Sequence, residues 1–313
     1  MFLILALIAT LIVWGWWTYP RIGGLLFDLI TRLEARLSRV TEVPVAIERM
    51  TLATFQGGAR HNAPPLLLIH GFSADKNLWL RFVRSFVADH RVLIPDLAGH
   101  GKSGFEAGGD YSIAAQAQRM VEMLDASGID KVHVVGSSMG AYIGTWLAAH
   151  YPERVLSLAL MGPVGVNLPQ PNEVEELVKQ GRNPFLIHSR AEFDRFFAMT
   201  MASPPWIPGV LLAAESQTYI DRRAELAEIF DDFHDSPRME PWLSRVRVPT
   251  LLLWGREDRM VPLASAQTWM AGIPHARLEC WDGVGHLPMV ERPERTAAQY
   301  REFLNGVRES CIA

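Results

Sequence analysis

Residues 132–150 have the sequence VHVVGSSMGAYIGTWLAAH, with Gly136-Ser137-Ser138-Met139-Gly140 at the centre. The apolar residues before this centre are typical of a buried strand, and the residues after it are compatible with a helix. A G-x-S-x-G sequence between a strand and a helix indicates a nucleophile elbow, in which a tight turn holds a serine exposed. The alternative is an ordinary loop of small residues. We predict that Ser138 is a nucleophile.

The composition limits the classes of function that the chain can have. Its 313 residues are 49% hydrophobic and 20% charged, which is typical of a globular protein with a sizeable core. The net charge is −4 and there is no long basic block, so nucleic acid is not an expected partner. The two cysteines, Cys280 and Cys311, predict neither a disulfide framework nor a metal site.

The N-terminal segment Phe2–Tyr19 contains no charged residue and is just long enough to cross a bilayer as a helix. Aromatic residues that suit a membrane interface close it, namely Trp14, Trp16, Trp17 and Tyr19. A cleaved signal peptide is the alternative, but no Lys or Arg precedes the apolar run and no small-residue cleavage site follows it. We therefore expect an uncleaved transmembrane anchor over residues 1–20.

Residues 21–44 form the expected juxtamembrane segment, with a predicted amphipathic helix over residues 21–42. Its apolar face consists of Leu25, Leu26, Leu29, Leu33 and Leu37. This face could lie on a membrane or pack on the following domain. Basic residues follow the anchor, namely Arg21, Arg32, Arg36 and Arg39. The positive-inside rule then predicts a single-pass membrane protein with a cytoplasmic catalytic domain.

From residue 45 onward, short apolar runs alternate with helical patterns, which predicts an α/β fold with a mostly parallel sheet flanked by helices. The strand candidates are residues 66–69, 92–94, 132–135, 156–160, 251–254 and 276–281, and the helix candidates are 77–88, 112–127, 141–150, 263–271 and 293–306. Between residues 163 and 248 only helical patches occur, at 173–180, 191–201 and 215–233. We therefore expect core regions over 45–162 and 249–313, with a helical cap over 163–248 between them.

A serine nucleophile needs a histidine base and an acid that orients the histidine, both expected C-terminal to the serine. His286 lies in a glycine-containing loop after the last strand candidate and is the predicted base. Asp258, at the end of the preceding strand, is the predicted acid, and Glu257 and Asp282 are its rivals. Backbone N–H groups of Phe72 and Met139 are the predicted oxyanion donors, because Phe72 follows an early strand and Met139 follows the nucleophile.

The chain resembles the α/β-hydrolase superfamily over roughly residues 45–308. The motifs that carry the resemblance are His70-Gly71-Phe72, residues 96–103 (DLAGHGKS), the elbow, residues 255–258 (GRED) and Gly285-His286. With its N-terminal segment, the loop HGFSADKNLW at 70–79 is similar to that of membrane-anchored monoacylglycerol lipases and related bacterial lipases. The resemblance implies cleavage of carboxylic esters through an acyl-serine without a cofactor. It implies the same five site residues, Ser138, Asp258, His286, Phe72 and Met139, and Asp96 is expected to be structural.

The cap sequence favours an acyl-lipid substrate, because it is rich in Phe, Leu, Ile and Met and contains the stiff apolar loop Ser203–Pro208. A small-molecule esterase or a carbon–carbon hydrolase of the same fold is the alternative. A non-catalytic ligand receptor is disfavoured by the complete set of catalytic residue types. An acyltransferase is suggested only by His70 and Asp75 in H-x4-D spacing, which is common by chance.

Overall fold

The computed structural model describes residues 2–58, 63–168 and 171–312, and within these ranges the side chains of residues 18–309. In this described part, eight strands form one sheet. They are β1 (Val40–Ala46), β2 (Thr51–Gly57), β3 (Leu66–Ile69), β4 (Val92–Pro95), β5 (Val132–Ser137), β6 (Val155–Met161), β7 (Thr250–Gly255) and β8 (Arg277–Trp281). Their order is β1-β2-β4-β3-β5-β6-β7-β8. The last six are parallel, and β1 and β2 join antiparallel at one edge.

Helices lie between these strands and before the sheet. They are α1 (Phe2–Leu37), α2 (Leu80–Val83), α3 (Ile113–Ala126), α4 (Met139–His150), α5 (Glu173–Lys179), α6 (Arg190–Thr200), α7 (Gly209–Asp221), α8 (Arg223–His234), α9 (Glu240–Leu243), α10 (Ala266–Gly272), α11 (Pro288–Glu291) and α12 (Pro293–Ile312). Short 3₁₀ turns are Lys76–Trp79, Pro152–Arg154 and Leu263–Ser265. The mostly parallel sheet with flanking helices confirms the predicted fold class.

The central strands are apolar on both faces because helices cover both faces of the sheet. Along β3, Leu67 and Ile69 pack towards α3, α4 and the cap. Leu66 and Leu68 pack on the opposite face, towards α2 and α12. Successive strand residues point to opposite faces, so both layers of core are built from unbroken apolar runs.

The six predicted strands are all present, and each differs from the observed strand by two residues or fewer at either end. The strands β1 and β2 were not predicted. Both carry polar residues, and β1 has the mostly exposed pattern of an edge strand, so no apolar run marks them. The first strand begins at Val40, inside the segment 21–44 that we expected to precede the core. The predicted helix over 21–42 is therefore wrong beyond Leu37, where α1 ends.

The cap is formed by α5 to α9 between β6 and β7, as the loss of strand pattern predicted. Its predicted third helix, residues 215–233, is in fact two helices, α7 and α8, which meet at Arg222. Arg222 ends α7 and begins α8. It also donates to the carbonyl of Gly99 in the core, so the corner between the two helices is fastened to the core.

Helix α1 packs on the cap and the core through one face and exposes the other. A Cβ on Gly23 would lie 2.1 Å from the carbonyl oxygen of Val210, so glycine permits close packing of α1 on α7. On the same face Ala35 is buried, and Ser38, just past the end of the helix, donates to the Leu80 carbonyl. The five leucines of the predicted apolar stripe are exposed on the other face. The helix therefore packs on the domain while its leucine stripe faces outward.

Among the residues that the structure describes, none of the helices is both long and apolar enough to cross a bilayer. The side chains of residues 2–17, which carry most of the predicted anchor, lie outside the described part of the chain. The transmembrane anchor therefore stays a prediction.

The turn after β4 is organised by a buried ion pair. Asp96 accepts hydrogen bonds from the backbone N–H groups of Lys76 and Lys102, each at 2.8 Å. Its carboxylate also pairs with Nζ of Lys76 at 2.5 Å, and both side chains are buried. This one carboxylate joins the loop after β3 to the turn after β4, which agrees with the structural role expected for Asp96.

We expect Asp96→Asn to lower the free energy of unfolding by about 3 kcal/mol, because it leaves the buried Lys76 ammonium with only the half-exposed Glu42 carboxylate, at 3.3 Å, as an ion-pair partner. Urea denaturation measures this change. The control is Asp194→Asn, which breaks an exposed pair with Arg190 and should cost less than about 0.5 kcal/mol. Equal losses for the two variants would contradict the structural role of Asp96.

Candidate active site

Ser138 lies at the sharp turn between β5 and α4, and its backbone has φ 54° and ψ −116°. Positive φ is unusual for a residue with a side chain and is concentrated at functional sites. Two glycines make the turn possible. A Cβ on Gly136 would lie 2.4 Å from the Gly140 carbonyl oxygen, and a Cβ on Gly140 would lie 2.2 Å from the Ile69 carbonyl oxygen. The structure therefore has the strand–turn–helix geometry that the motif predicted.

Asp258 and His286 meet at the carboxyl ends of β7 and β8. His286 Nδ1 lies 2.8 Å from Asp258 Oδ2, and both side chains are buried. The other carboxylate oxygen of Asp258 accepts N–H bonds from Met260 and Val261 at 2.9 and 2.8 Å. The acid is thus fixed on both oxygens, and it orients the imidazole as a catalytic acid would orient a base.

The two rival acids have other partners. Glu257 accepts the backbone N–H of Val284 at 3.1 Å. Asp282 pairs with Arg256 at 2.7 Å, and its side chain is 87% exposed. Asp258 is therefore the acid that the structure places against His286.

Two residues that the sequence did not single out support this pair. Gly162 follows β6 with φ 51°, and a Cβ there would lie 2.9 Å from His286 Nδ1 and 3.0 Å from Asp258 Oδ2. The buried carboxylate of Glu291 accepts the N–H of Gly285 and the N–H of Ser203, both at 2.7 Å. Glu291 thus joins the histidine loop to the cap. In the sequence, Gly162 could have been recognised as a glycine directly after a central strand. No local sequence pattern marks Glu291.

The loop that carries Phe72 lies against the serine. A Cβ on Gly71 would lie 3.1 Å from the Cβ of Ser138. The Phe72 ring is buried against the rings of Phe185, Phe230 and Phe233, which fixes the loop. Met139 begins α4, where backbone N–H groups have no acceptor within the helix. Met139 therefore lies next to Ser138 in the chain, and the loop of Phe72 lies next to it in space. Their role as oxyanion donors stays a prediction.

His70 is part of the support for this loop. Its Nδ1 lies 2.8 Å from the Gly71 carbonyl oxygen, to which it donates, and its Nε2 accepts the N–H of Leu97 at 3.0 Å. Burial lowers the pKa of His70 to about 4, so the ring is neutral. Both ring nitrogens are bonded to backbone groups, so the structure gives His70 a supporting role, which disfavours the acyltransferase alternative.

Ser138 and His286 both line a cavity of about 520 Å³ that also reaches Phe72. This volume lies within the range of about 300–1,000 Å³ that is usual for ligand sites. Most of the wall comes from apolar cap residues, including Val178, Phe185, Phe193, Phe196, Phe197, Ile207, Leu211 and Leu212. The cap therefore gives the serine a largely apolar binding space.

We expect Gly162→Ala to lower kcat for a chromogenic ester by about 10²-fold, because the new methyl group displaces the His286–Asp258 pair. Gly128→Ala is the matched control, since Gly128 also has positive φ but has open space around its Cβ position. Both variants should lose about 1 kcal/mol of stability to backbone strain. Equal kcat values for the two variants would show that a side chain at position 162 does not disturb the His286–Asp258 pair.

Comparisons with known proteins agree with this geometry. A family model for the α/β hydrolase fold matches residues 64–186. Lipase 3 of Moraxella sp. (strain TA144) is 32% identical over 249 residues, which cover 78% of each chain. Monoacylglycerol lipase ABHD6 of Bos taurus is 25% identical over 269 residues, or 82% of this chain and 80% of the relative.

Among solved structures, a bacterial membrane phospholipase A superposes with a TM-score of 0.89 at 33% identity. The match covers 98% of this chain and 99% of the phospholipase. These likenesses confirm the resemblance to lipases that the motifs indicated. The chain belongs to the α/β-hydrolase family and is a hydrolase of the lipase and esterase type.

Proposed function

We propose that this hydrolase cleaves the carboxylic esters of acyl lipids, most readily monoacylglycerols, through an acyl-serine intermediate. The observation that carries the proposal is that Ser138 and the Asp258-bonded His286 line the same apolar cavity. A nucleophile and a base at the wall of an apolar space suit a substrate whose reactive ester is attached to a long hydrocarbon chain.

In the proposed reaction, His286 Nε2 takes the proton of Ser138 Oγ as the oxygen attacks the ester carbonyl carbon. Asp258 holds Nδ1–H and stabilises the imidazolium that forms. The N–H groups of Phe72 and Met139 stabilise the oxyanion of the tetrahedral intermediate. The intermediate collapses to an acyl-serine, and the alcohol leaves with the proton from His286. Water, activated by the same histidine, then releases the fatty acid and restores the serine.

The relatives support a lipid substrate over a small soluble ester. Those compared above are named as a lipase, a monoacylglycerol lipase and a membrane phospholipase A. The alternative is a small-molecule esterase or a carbon–carbon hydrolase. A small substrate of such an enzyme would leave most of the apolar cavity wall without a contact.

We also propose that α1 places the enzyme at a membrane, with Phe2–Tyr19 as a single-pass anchor and the catalytic domain in the cytoplasm. The exposed leucines of α1 and the 88% exposed Trp206 in the cap loop support this arrangement. A folded domain rarely exposes so many large apolar side chains on one side unless they contact a membrane or a partner.

The test of the activity is hydrolysis of 1-monoacylglycerols of increasing chain length by the full chain and by Ser138→Ala. We expect turnover that rises with chain length above that of an acetyl ester, and loss of about 10⁶-fold in kcat in the variant. Ser137→Ala is the control, because the Ser137 hydroxyl is buried without a hydrogen-bond partner in the described part of the chain. Turnover by Ser138→Ala would refute the mechanism, and a preference for acetyl esters would refute the lipid substrate.

The anchor is tested by introducing two arginines, Ile8→Arg with Ile12→Arg, which cost about 2.5–3.5 kcal/mol each at the centre of a membrane helix. We expect the wild-type chain to stay in carbonate-washed membranes and this variant to leave them. The matched control carries Leu25→Arg with Leu29→Arg, on the exposed face of α1, and should stay. Release of wild type by carbonate would contradict the anchor. Digestion of the domain from outside intact cells would contradict its cytoplasmic placement.

A further inference from the structure

A second cavity, of about 900 Å³, lies between α1, α7 and the loop after β3. It adjoins the cavity of Ser138, because Phe27, Ser73, Leu78, Glu215 and Tyr219 line both. The shared wall carries the polar side chains of Ser73, Glu215 and Tyr219 among apolar ones. Neither the triad nor the acyl-binding space accounts for these polar groups.

The polar groups face one another from α7 and from the loop after β3. Glu215 and Tyr219 are four residues apart and therefore lie on the same side of α7. The Tyr219 hydroxyl lies 3.0 Å from Ser73 Oγ and 3.2 Å from the Ser73 carbonyl oxygen. In the same loop, Asp75 accepts the N–H and the side-chain amide of Asn77 at 2.8 and 2.9 Å, and Asn77 Oδ1 is buried without a partner in the described part of the chain.

Glu215 has no ion-pair or hydrogen-bond partner for its carboxyl group among the described residues. Burial, assisted by the nearby charge of Asp75, raises the pKa of Glu215 to about 7. Burial and the charge of Asp96 raise the pKa of Asp75 to about 6. Near neutral pH, Glu215 is therefore protonated in much of the population, and a protonated carboxyl group both donates and accepts hydrogen bonds. Glu215 is partly buried in the wall between the two cavities, so a ligand there can form the hydrogen bonds that its carboxyl group lacks.

We propose that Glu215, Tyr219 and Ser73 form a head-group subsite that binds the free hydroxyls of a monoacylglycerol. The proposal rests on the proposed lipase function and names the part of the substrate that this wall recognises. Ser73 directly follows Phe72, the predicted oxyanion donor, so the subsite begins next to the position of the reacting carbonyl. Glycerol hydroxyls lie only a few bonds from the ester, which matches this placement. The negative charge of Asp75 disfavours a phosphate at the same position by like-charge repulsion.

The experiment compares two substrates with the same acyl chain, a 1-monoacylglycerol and the corresponding methyl ester, which has no hydroxyls. The measured quantity is the ratio of their kcat/KM values on one preparation, so that the folded fraction cancels. We expect wild type to favour the monoacylglycerol. Glu215→Ala should lower the ratio about tenfold, as expected for the loss of one hydrogen bond to the substrate. Glu215→Gln should lower it less, because an amide still donates and accepts.

Tyr219→Phe is a second variant that keeps the ring contacts with Phe193 and Phe196 and should also lower the ratio. Asp221→Asn is the matched control, because this acid lies exposed on the same helix and lines neither cavity. Its ratio should equal that of wild type. An unchanged ratio in both Glu215→Ala and Tyr219→Phe would overturn the subsite. If Glu215→Ala instead lost activity only on lysophosphatidylcholine, the acid would recognise a cationic head group. This result would also overturn the proposed glycerol subsite.

The same experiment separates failure of the proposed lipase function from failure of the subsite. Wild-type protein that hydrolyses neither substrate refutes the lipase proposal itself. Wild-type protein that hydrolyses both substrates, with a ratio that does not depend on Glu215, refutes only the subsite.

Discussion

The close approach of three backbone segments at Ser138 is the constraint on which the rest of the structure depends. The end of β3, the end of β5 and the start of α4 come so near that any side chain on Gly140 would overlap the Ile69 carbonyl. The contact holds Ser138 at positive φ and brings Gly71, and with it the loop of Phe72, against the serine. The same backbone packing therefore positions the nucleophile and the predicted oxyanion loop, and the side chains of His70 and Phe72 hold the loop there.

The cap depends on this core and in turn completes the site. The N–H of His286 donates to the Thr200 carbonyl at the end of α6, and Glu291 bonds to both the histidine loop and the cap loop. Helix α7 packs on α1 and also lines both cavities. The same cap elements thus hold the histidine loop, enclose the acyl space and connect the site to the helix that we propose leads into the membrane.

The parts of the molecule that sequence could predict are those with a local signal. The central strands are apolar runs, and the elbow is a five-residue pattern in a strand–helix setting, so both were found. The strands β1 and β2 at one edge of the sheet have no such pattern, because they carry polar residues and β1 is mostly exposed. Gly162 and Glu291 contact residues far away in sequence, so their positions beside the His286 loop became visible only in the structure. The acid was narrowed from three candidates to Asp258 by its hydrogen bond to His286.

The central claim is that Ser138 is the nucleophile, activated by His286 and Asp258. Labelling with a long-chain alkyl fluorophosphonate, followed by peptide mapping in a mass spectrometer, tests it most directly. We expect a single adduct on Ser138, formed about 10⁴-fold more slowly in Asp258→Asn, in which the histidine is no longer held in the correct tautomer. An adduct on another residue, or a folded wild-type protein that takes up no label, would contradict it.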